Sequence, residues 1–185
     1  MGGNETFKAQ LVENRFIVWN PEEGRKLYGL GYYGKPLGIP KPKTADFDAP
    51  LLLDMLEAFY LAEKGLLKVY VDGKELNLSQ LRKKALKTYK GFQLKYRVYK
   101  DLREKGLIVQ PGIKFGCDFA VYRQGPGIDH APYLVQVQRE KEQVDAADLV
   151  RSGRLATTVR KRFIIAIPKS KTSQIRYLMF KWWKP

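Results

Sequence analysis

Every apolar run in this chain is short, and that limits the folds open to it more than any other feature. Phe16-Ile17-Val18-Trp19, Leu107-Ile108-Val109, Tyr133 to Gln138 and Phe163-Ile164-Ile165-Ala166-Ile167 are each long enough for a strand and too short to cross a bilayer. Between them, apolar residues recur at helical spacing. Strands mixed with helices in both halves predict an α+β fold of two small mixed domains. The composition shifts at Gly91, which divides the chain into residues 1–90 and 91–185. At 185 residues, with 44% hydrophobic side chains, there is enough apolar surface for a core.

In the first half, Asn20-Pro21-Glu22-Glu23-Gly24 reads as a turn after the first strand, and Gly29 to Asp48 reads as a long Gly/Pro/Lys-rich loop. Leu52, Met55, Leu56, Phe59 and Tyr60 predict a helix from Pro50 that stops at Gly65. Leu67 to Leu78, broken by Asp72-Gly73, predicts a hairpin, and Ser79 is the expected cap of a basic helix through Tyr89.

In the second half, a helix runs to Lys105, and Lys114 to Tyr122 is expected as one strand with Phe115, Cys117, Phe119 and Val121 on its apolar face. Tyr122 would then point the other way, on the side of Asp118. Asp145 is the expected cap of a helix towards Arg160, and the chain closes on a strand from Gln174 to Trp183.

The 34 Lys and Arg outnumber the 19 Asp and Glu, giving a net charge of +15. A surface this basic attracts polyanions through counterion release, so nucleic acid is the expected partner class. With neither a signal peptide nor a transmembrane segment in view, no membrane partner and a cytoplasmic address are expected. The N-terminal Met1-Gly2-Gly3-Asn4-Glu5-Thr6 fits only the minimal acylation pattern, which is short and common by chance. Cys117 is the sole cysteine and His130 the sole histidine, so no internal disulfide and no Cys/His zinc site can form in one chain. No metal and no cofactor is expected.

His130 follows the turn-forming stretch Gly125-Pro126-Gly127-Ile128-Asp129, with Tyr122 ending the strand before it and Lys161 at the far end of a basic helix. A phenol, an imidazole and an ammonium suffice to cleave RNA through its own 2′-hydroxyl without a metal. Arg154 and Lys161, seven residues apart, fall on nearly the same face of a 3.6-residue helix, two turns apart, and would present positive charge to one ligand. A solvated basic face is the plainer reading of that spacing.

Several separate stretches carry a resemblance. Tyr99-Lys100-Asp101-Leu102-Arg103-Glu104-Lys105-Gly106, Gly112 to Tyr122, His130-Ala131-Pro132-Tyr133-Leu134-Val135, Val150-Arg151 and Arg154 to Lys161 closely resemble the catalytic domain of archaeal tRNA-splicing endonucleases. Gly31-Tyr32-Tyr33-Gly34 and Leu56 to Gly65 resemble that family's N-terminal domain. The resemblance implies a C-terminal domain with a restriction-endonuclease-like mixed sheet flanked by helices. It implies a metal-independent, lyase-type endoribonuclease that cleaves precursor tRNA at the bulge-helix-bulge motif of intron-exon junctions. The products would be a 2′,3′-cyclic phosphate and a 5′-hydroxyl.

By the same resemblance, Tyr122, His130 and Lys161 take the family's catalytic positions. Tyr122 would be general base, its pKa near 10 lowered by a neighbouring ammonium. His130, with an unperturbed pKa of about 6.5, would protonate the leaving 5′-oxygen. Lys161 would stabilise charge on the phosphorane. Arg154 and Arg176 fall on the positions of the arginine pair that clamps a bulged base, a clamp expected to reach into a neighbouring subunit's site. The loop from Gly34 to Thr44 looks like an insertion of members with a broad substrate range, in which Lys41 and Lys43 would contact phosphate.

One departure bears on assembly. Self-assembling members carry an acidic loop after the strand that corresponds to Phe163–Ile167, whereas this chain reads Pro168-Lys169-Ser170-Lys171-Thr172-Ser173. Lysines repel a basic pocket. A second, structural subunit is therefore expected to supply the acidic loop, in a heterotetramer of two catalytic and two structural chains. Two other readings compete. A metal-dependent nuclease would need a carboxylate pair where Gln136 and Gln138 stand. A non-catalytic RNA-binding subunit would have no use for Tyr122, His130 and Lys161 together.

Overall fold

The computed structural model describes residues 6–39, 42, 44–128 and 131–180. The chain forms two units, Met1–Phe92 and Gln93–Pro185. Each is built on its own mixed sheet with helices, so the fold is α+β. Among the described residues, no helix is long and apolar enough to cross a membrane.

The first unit's sheet comprises β1 (Phe7–Val12), β2 (Arg15–Val18), β3 (Lys35–Pro36), β4 (Leu51–Leu53), β5 (Leu67–Val71) and β6 (Lys74–Leu76). Their order is β3-β4-β2-β1-β5-β6, and β1 pairs parallel only with β5. Burial alternates strictly along β1, with Phe7, Ala9 and Leu11 inside and Lys8, Gln10 and Val12 outside. The inner face continues through Phe16, Val18, Leu51, Leu53, Leu67 and Val69, all buried. Burial of one face and exposure of the other is the pattern of a sheet covered on one side.

Three helices belong to this unit: α1 (Pro21–Gly29), α2 (Met55–Glu63) and α3 (Leu78–Thr88). Three sequence expectations fail at their starts. The stretch from Asn20 is a helix start rather than a turn, because the Asn20 side chain accepts from the backbone N–H groups of Glu22 and Glu23 and Pro21 takes the first turn. The helix expected from Pro50 begins at Met55, since Leu51–Leu53 pairs with β2 and Asp54 caps α2 in a reciprocal box with Glu57. The cap of α3 is likewise Asn77, paired with Gln80, rather than Ser79. The Asp72-Gly73 hairpin forms as expected, with φ of 48° and 77° at its two central residues.

Glu57 does a second job. It is buried, and its other carboxylate oxygen accepts the Gly34 N–H at 2.9 Å. Gly34 has φ of 74°, and a Cβ there would stand 2.7 Å from the Leu52 carbonyl oxygen. Only glycine fits at this position of the Gly31–Gly34 stretch.

The second unit holds α4 (Phe92–Glu104), β7 (Ile108–Pro111), β8 (Phe119–Tyr122), β9 (Tyr133–Val137), α5 (Ala146–Thr158), β10 (Arg162–Pro168) and β11 (Ile175–Phe180). Strand order is β11-β10-β9-β8-β7, with β9 and β10 parallel and the other pairs antiparallel. Both faces of its central strands are apolar. One row, Ala120, Leu134 and Phe163, clusters with Ala156 of α5. On the opposite face the Phe119 ring meets Tyr99 of α4, with centroids 6.2 Å apart. Helix α4 is further fixed by buried Arg103, which donates to the Tyr99 hydroxyl and the Val109 carbonyl.

Candidate active site

Three strand ends meet at one edge of the second sheet. Strand β8 ends at Tyr122; antiparallel β9 begins at Tyr133, opposite Val121; and parallel β10 begins at Arg162, also opposite Tyr133. The Arg162 N–H donates to the Pro132 carbonyl at 2.9 Å, which extends the ladder past the start of β9. Just beyond it, the Lys161 ammonium donates to the Ala131 carbonyl at 2.6 Å and stands 5.3 Å over the Phe115 ring. His130 immediately precedes Ala131 in the chain and lies outside the described residues.

Lys161 reaches this edge because α5 stops early. The helix ends at Thr158, Val159 caps it, and Arg160 turns left-handed with φ of 54°. The Arg160 N–H then donates to the Thr157 carbonyl and the Lys161 N–H to the Ala156 carbonyl, the paired bonds of a Schellman ending. The expectation that Arg154 and Lys161 share a helix face is therefore wrong. Lys161 lies past the helix, and its direction is set by β10.

The expectation for Tyr122 also needs correction. Lys114 to Tyr122 is not one strand: Ile113–Phe115 forms a turn of 3₁₀ helix, Gly116 is left-handed with φ of 64°, and β8 starts only at Phe119. The interruption breaks the alternation. Half-buried Tyr122 packs against the cluster of Cys117, Ala120, Ala131, Leu134 and Ala156, on the α5 side. Asp118 is engaged elsewhere, paired with Lys95 of α4 at 2.7 Å and accepting the Val137 N–H at 2.7 Å. Tyr122 and Asp118 thus serve different faces.

Cys117 supports this edge from below. Its thiol is buried, and burial, followed by the neighbouring Asp118 charge, pushes its pKa up to about 11. A thiol so placed packs as a small apolar group. Gly112 is what lets it in, because a Cβ there would lie 2.6 Å from the Cys117 sulfur.

Of the remaining sequence candidates, Arg154 is exposed on α5 and Arg176 is exposed on β11. Arg176 stands opposite Ile167 whereas Lys161 precedes the other end of β10. Six residues of strand separate them, roughly 20 Å along the sheet. Within one chain Arg176 is therefore remote from Lys161. Lys41 and Lys43 lie outside the described residues. The sequence reading missed two contributors, the Phe115 ring beneath the ammonium and the Ala131 carbonyl that holds it. It also missed Arg123, whose guanidinium donates to the Tyr133 hydroxyl at 2.6 Å beside the end of β8. Phe115 was hidden by its assignment to the strand's buried face; a backbone carbonyl leaves no trace in residue type.

Residues 7–82 match the family model for the tRNA intron endonuclease N-terminal domain, and residues 92–177 that for the catalytic C-terminal domain. The tRNA-splicing endonuclease of Hyperthermus butylicus is 49% identical over 179 residues, 96% of this chain and 99% of that protein. Those of Sulfurisphaera tokodaii and Saccharolobus islandicus are 43% and 44% identical, over 95% and 96% of this chain and 98% of each relative. The chain belongs to the tRNA intron endonuclease family.

Proposed function

We propose that this chain is the catalytic subunit of a tRNA-splicing endonuclease that cuts precursor tRNA at the bulge-helix-bulge junctions of introns without a metal. The observation that carries the reading is the Lys161 ammonium on the Ala131 carbonyl, one residue from His130, at the edge where β8 ends in Tyr122. This supports a shared role for Lys161 and Tyr122 at one end of the sheet, with His130 adjacent to Ala131 in the chain. In the reaction, the ribose O2′ attacks the adjacent phosphorus in line and its proton passes to the Tyr122 phenolate. The P–O5′ bond breaks, His130 protonates the departing O5′, and Lys161 stabilises charge on the non-bridging oxygens. The products are a 2′,3′-cyclic phosphate and a 5′-hydroxyl.

Residues 1–90 are assigned as the N-terminal domain and 91–185 as the nuclease domain. Arg154 and Arg176 are assigned to hold a bulged base, with the clamp completed between subunits, and Lys41 and Lys43 to contact phosphate. The partner is a structural subunit bearing an acidic loop, in a two-plus-two assembly. The β10–β11 connection supports this: Arg97 of α4 donates to the carbonyls of Lys169, Thr172 and Gln174, and Glu140 binds both the Lys169 ammonium and the Ser170 N–H. A loop gripped this way presents Lys171 outward and has no acid of its own to offer a basic pocket.

His130→Ala is expected to lower cleavage by a factor of about 10² to 10⁴ with precursor binding nearly unchanged, and EDTA is expected to leave the wild type fully active. Parallel loss of binding and cleavage, a requirement for divalent ions, or a product lacking the cyclic phosphate would each overturn the mechanism. Full activity of the purified chain alone at low concentration would overturn the heteromeric assembly.

A further inference from the structure

The outer face of the first unit's sheet has a chemical pattern that the cleavage site does not use. Continuing the β1–β2 register past Ile17 sets Trp19 opposite Lys8, and Lys8 is paired in turn with Lys68 on β5. The next row runs Lys35, Leu52, Ile17, Gln10, Tyr70 and Glu75 across all six strands. Trp19 is 53% exposed. A surface indole of that exposure is ordinarily mobile, but here its Nε1–H donates to the Gln10 side-chain oxygen at 2.7 Å, which fixes the ring. Between Trp19 and Tyr70 lies an open pocket of about 400 Å³, lined also by Lys8, Gln10, Asn20 and Glu23.

We propose that this face is a second RNA-binding surface, on which an unpaired base stacks against Trp19 while Lys8 and Lys68 take the flanking phosphates. Three features select RNA over a protein partner. Lys8 lines the pocket between the two rings, Lys68 lies opposite it on β5, and exposed Arg15 and Lys35 stand further out on the same face. Against these four cations stand Glu75, which pairs with Lys68 at 3.3 Å on the exposed surface and accepts from the Tyr70 hydroxyl, and Glu23, so the face is net basic and Lys68 would exchange its Glu75 contact for phosphate. A pinned indole beside cations on an open sheet is a stacking platform of the kind that binds single-stranded nucleic acid. Glu23 accepts the backbone N–H of Lys8 at 3.3 Å and lines the pocket, where a carboxylate suits the amino or ring N–H of a base and repels phosphate. The base therefore enters the pocket and the backbone stays on the lysines.

This rests on the reading of RNA as substrate, and adds to it a site remote in sequence from Tyr122 and Lys161. The test uses the full chain with its structural partner and a precursor tRNA carrying 2′-deoxyribose at both cleavage positions, so that binding is read without cutting. Trp19→Ala is expected to weaken binding about tenfold and Trp19→Phe by much less. The assembly mass, and the rate at saturation on cleavable precursor, are expected to stay unchanged. A 4-thiouridine oligonucleotide is expected to crosslink to the peptide containing Trp19. Unchanged affinity in Trp19→Ala overturns the proposal, and so does a weakened affinity that tracks a smaller assembly, which would make the face a protein contact. A chain that binds precursor in a Trp19-dependent way yet never cuts it would instead defeat the cleavage mechanism and leave this surface standing.

Discussion

Lys161 and Glu140 show how single side chains set the local chemistry of the second unit. The Lys161 ammonium sits between an aromatic face and a backbone carbonyl, with its charge part-buried beside the sheet edge. Glu140 is held chiefly by the Lys169 side chain at 2.7 Å and then by the Ser170 N–H at 2.8 Å, and together these pull its carboxyl from an ordinary 4.5 down to about 2. Because the folded value lies below the unfolded one, the contact contributes stability above pH 4.5 and loses it as the pH falls through about 2. Carbon-13 NMR of the Glu140 carboxyl should show a midpoint near 2, and Lys169→Ala should move it towards 4.5. A wild-type midpoint near 4.5 would show that the contact does not form in solution. At this scale the sequence was informative about residue type: a single histidine and a single cysteine limited the chemistry at once. It was silent on Ala131, whose part is played by a carbonyl that every residue possesses.

Elements were legible where an end carries a marked residue and obscure where it does not. Gly65 and Gly106 stop their helices as expected, with φ of 72° and 78°. Helix α5 stops two residues short of the expected end at Arg160, because its left-handed residue is Arg160 and an arginine gives no such signal. Asn20-Pro21 misled for the opposite reason: both residue types serve a turn and a helix start equally well. The strand assigned to Lys114–Tyr122 failed because a 3₁₀ turn and left-handed Gly116 interrupt it, so Ala120 and Tyr122 join Phe115 and Cys117 in one cluster while Phe119 faces Tyr99. Arg160 offers a test. Arg160→Gly removes the left-handed penalty at an exposed position and loses part of the gain to a freer unfolded chain. A net stabilisation of about 0.5–1 kcal/mol, or roughly 2 °C in Tm, is expected in thermal melts. A lower Tm would mean that the guanidinium makes a contact worth more than the backbone strain.

For the molecule as a whole, the division into two sheet-bearing units and their α+β class could be read from the alternation of strand-sized and helix-spaced runs, whereas the exposed aromatic face of the first sheet could not. Its members, Lys8, Gln10, Trp19, Lys68 and Tyr70, come from β1, β5 and the residue just past β2, and the polar alternation of β1 does not mark it as a strand in the sequence. With a net charge of +15, precursor binding should be strongly salt-dependent. Affinity is expected to fall by at least about tenfold between roughly 50 and 200 mM monovalent salt, with His130→Ala following the same slope in anisotropy titrations. A flat response would remove counterion release as the source of affinity. The tether from β10 to the segment before β9 has a practical corollary for mutagenesis. Trading Lys161 for methionine would delete a cation and also unclip the stretch that bears the imidazole, so the resulting rate deficit would blend slackness with lost electrostatics. An arginine at 161, able to keep both the charge and a donor, should recover part of the anchoring even where the chemistry suffers.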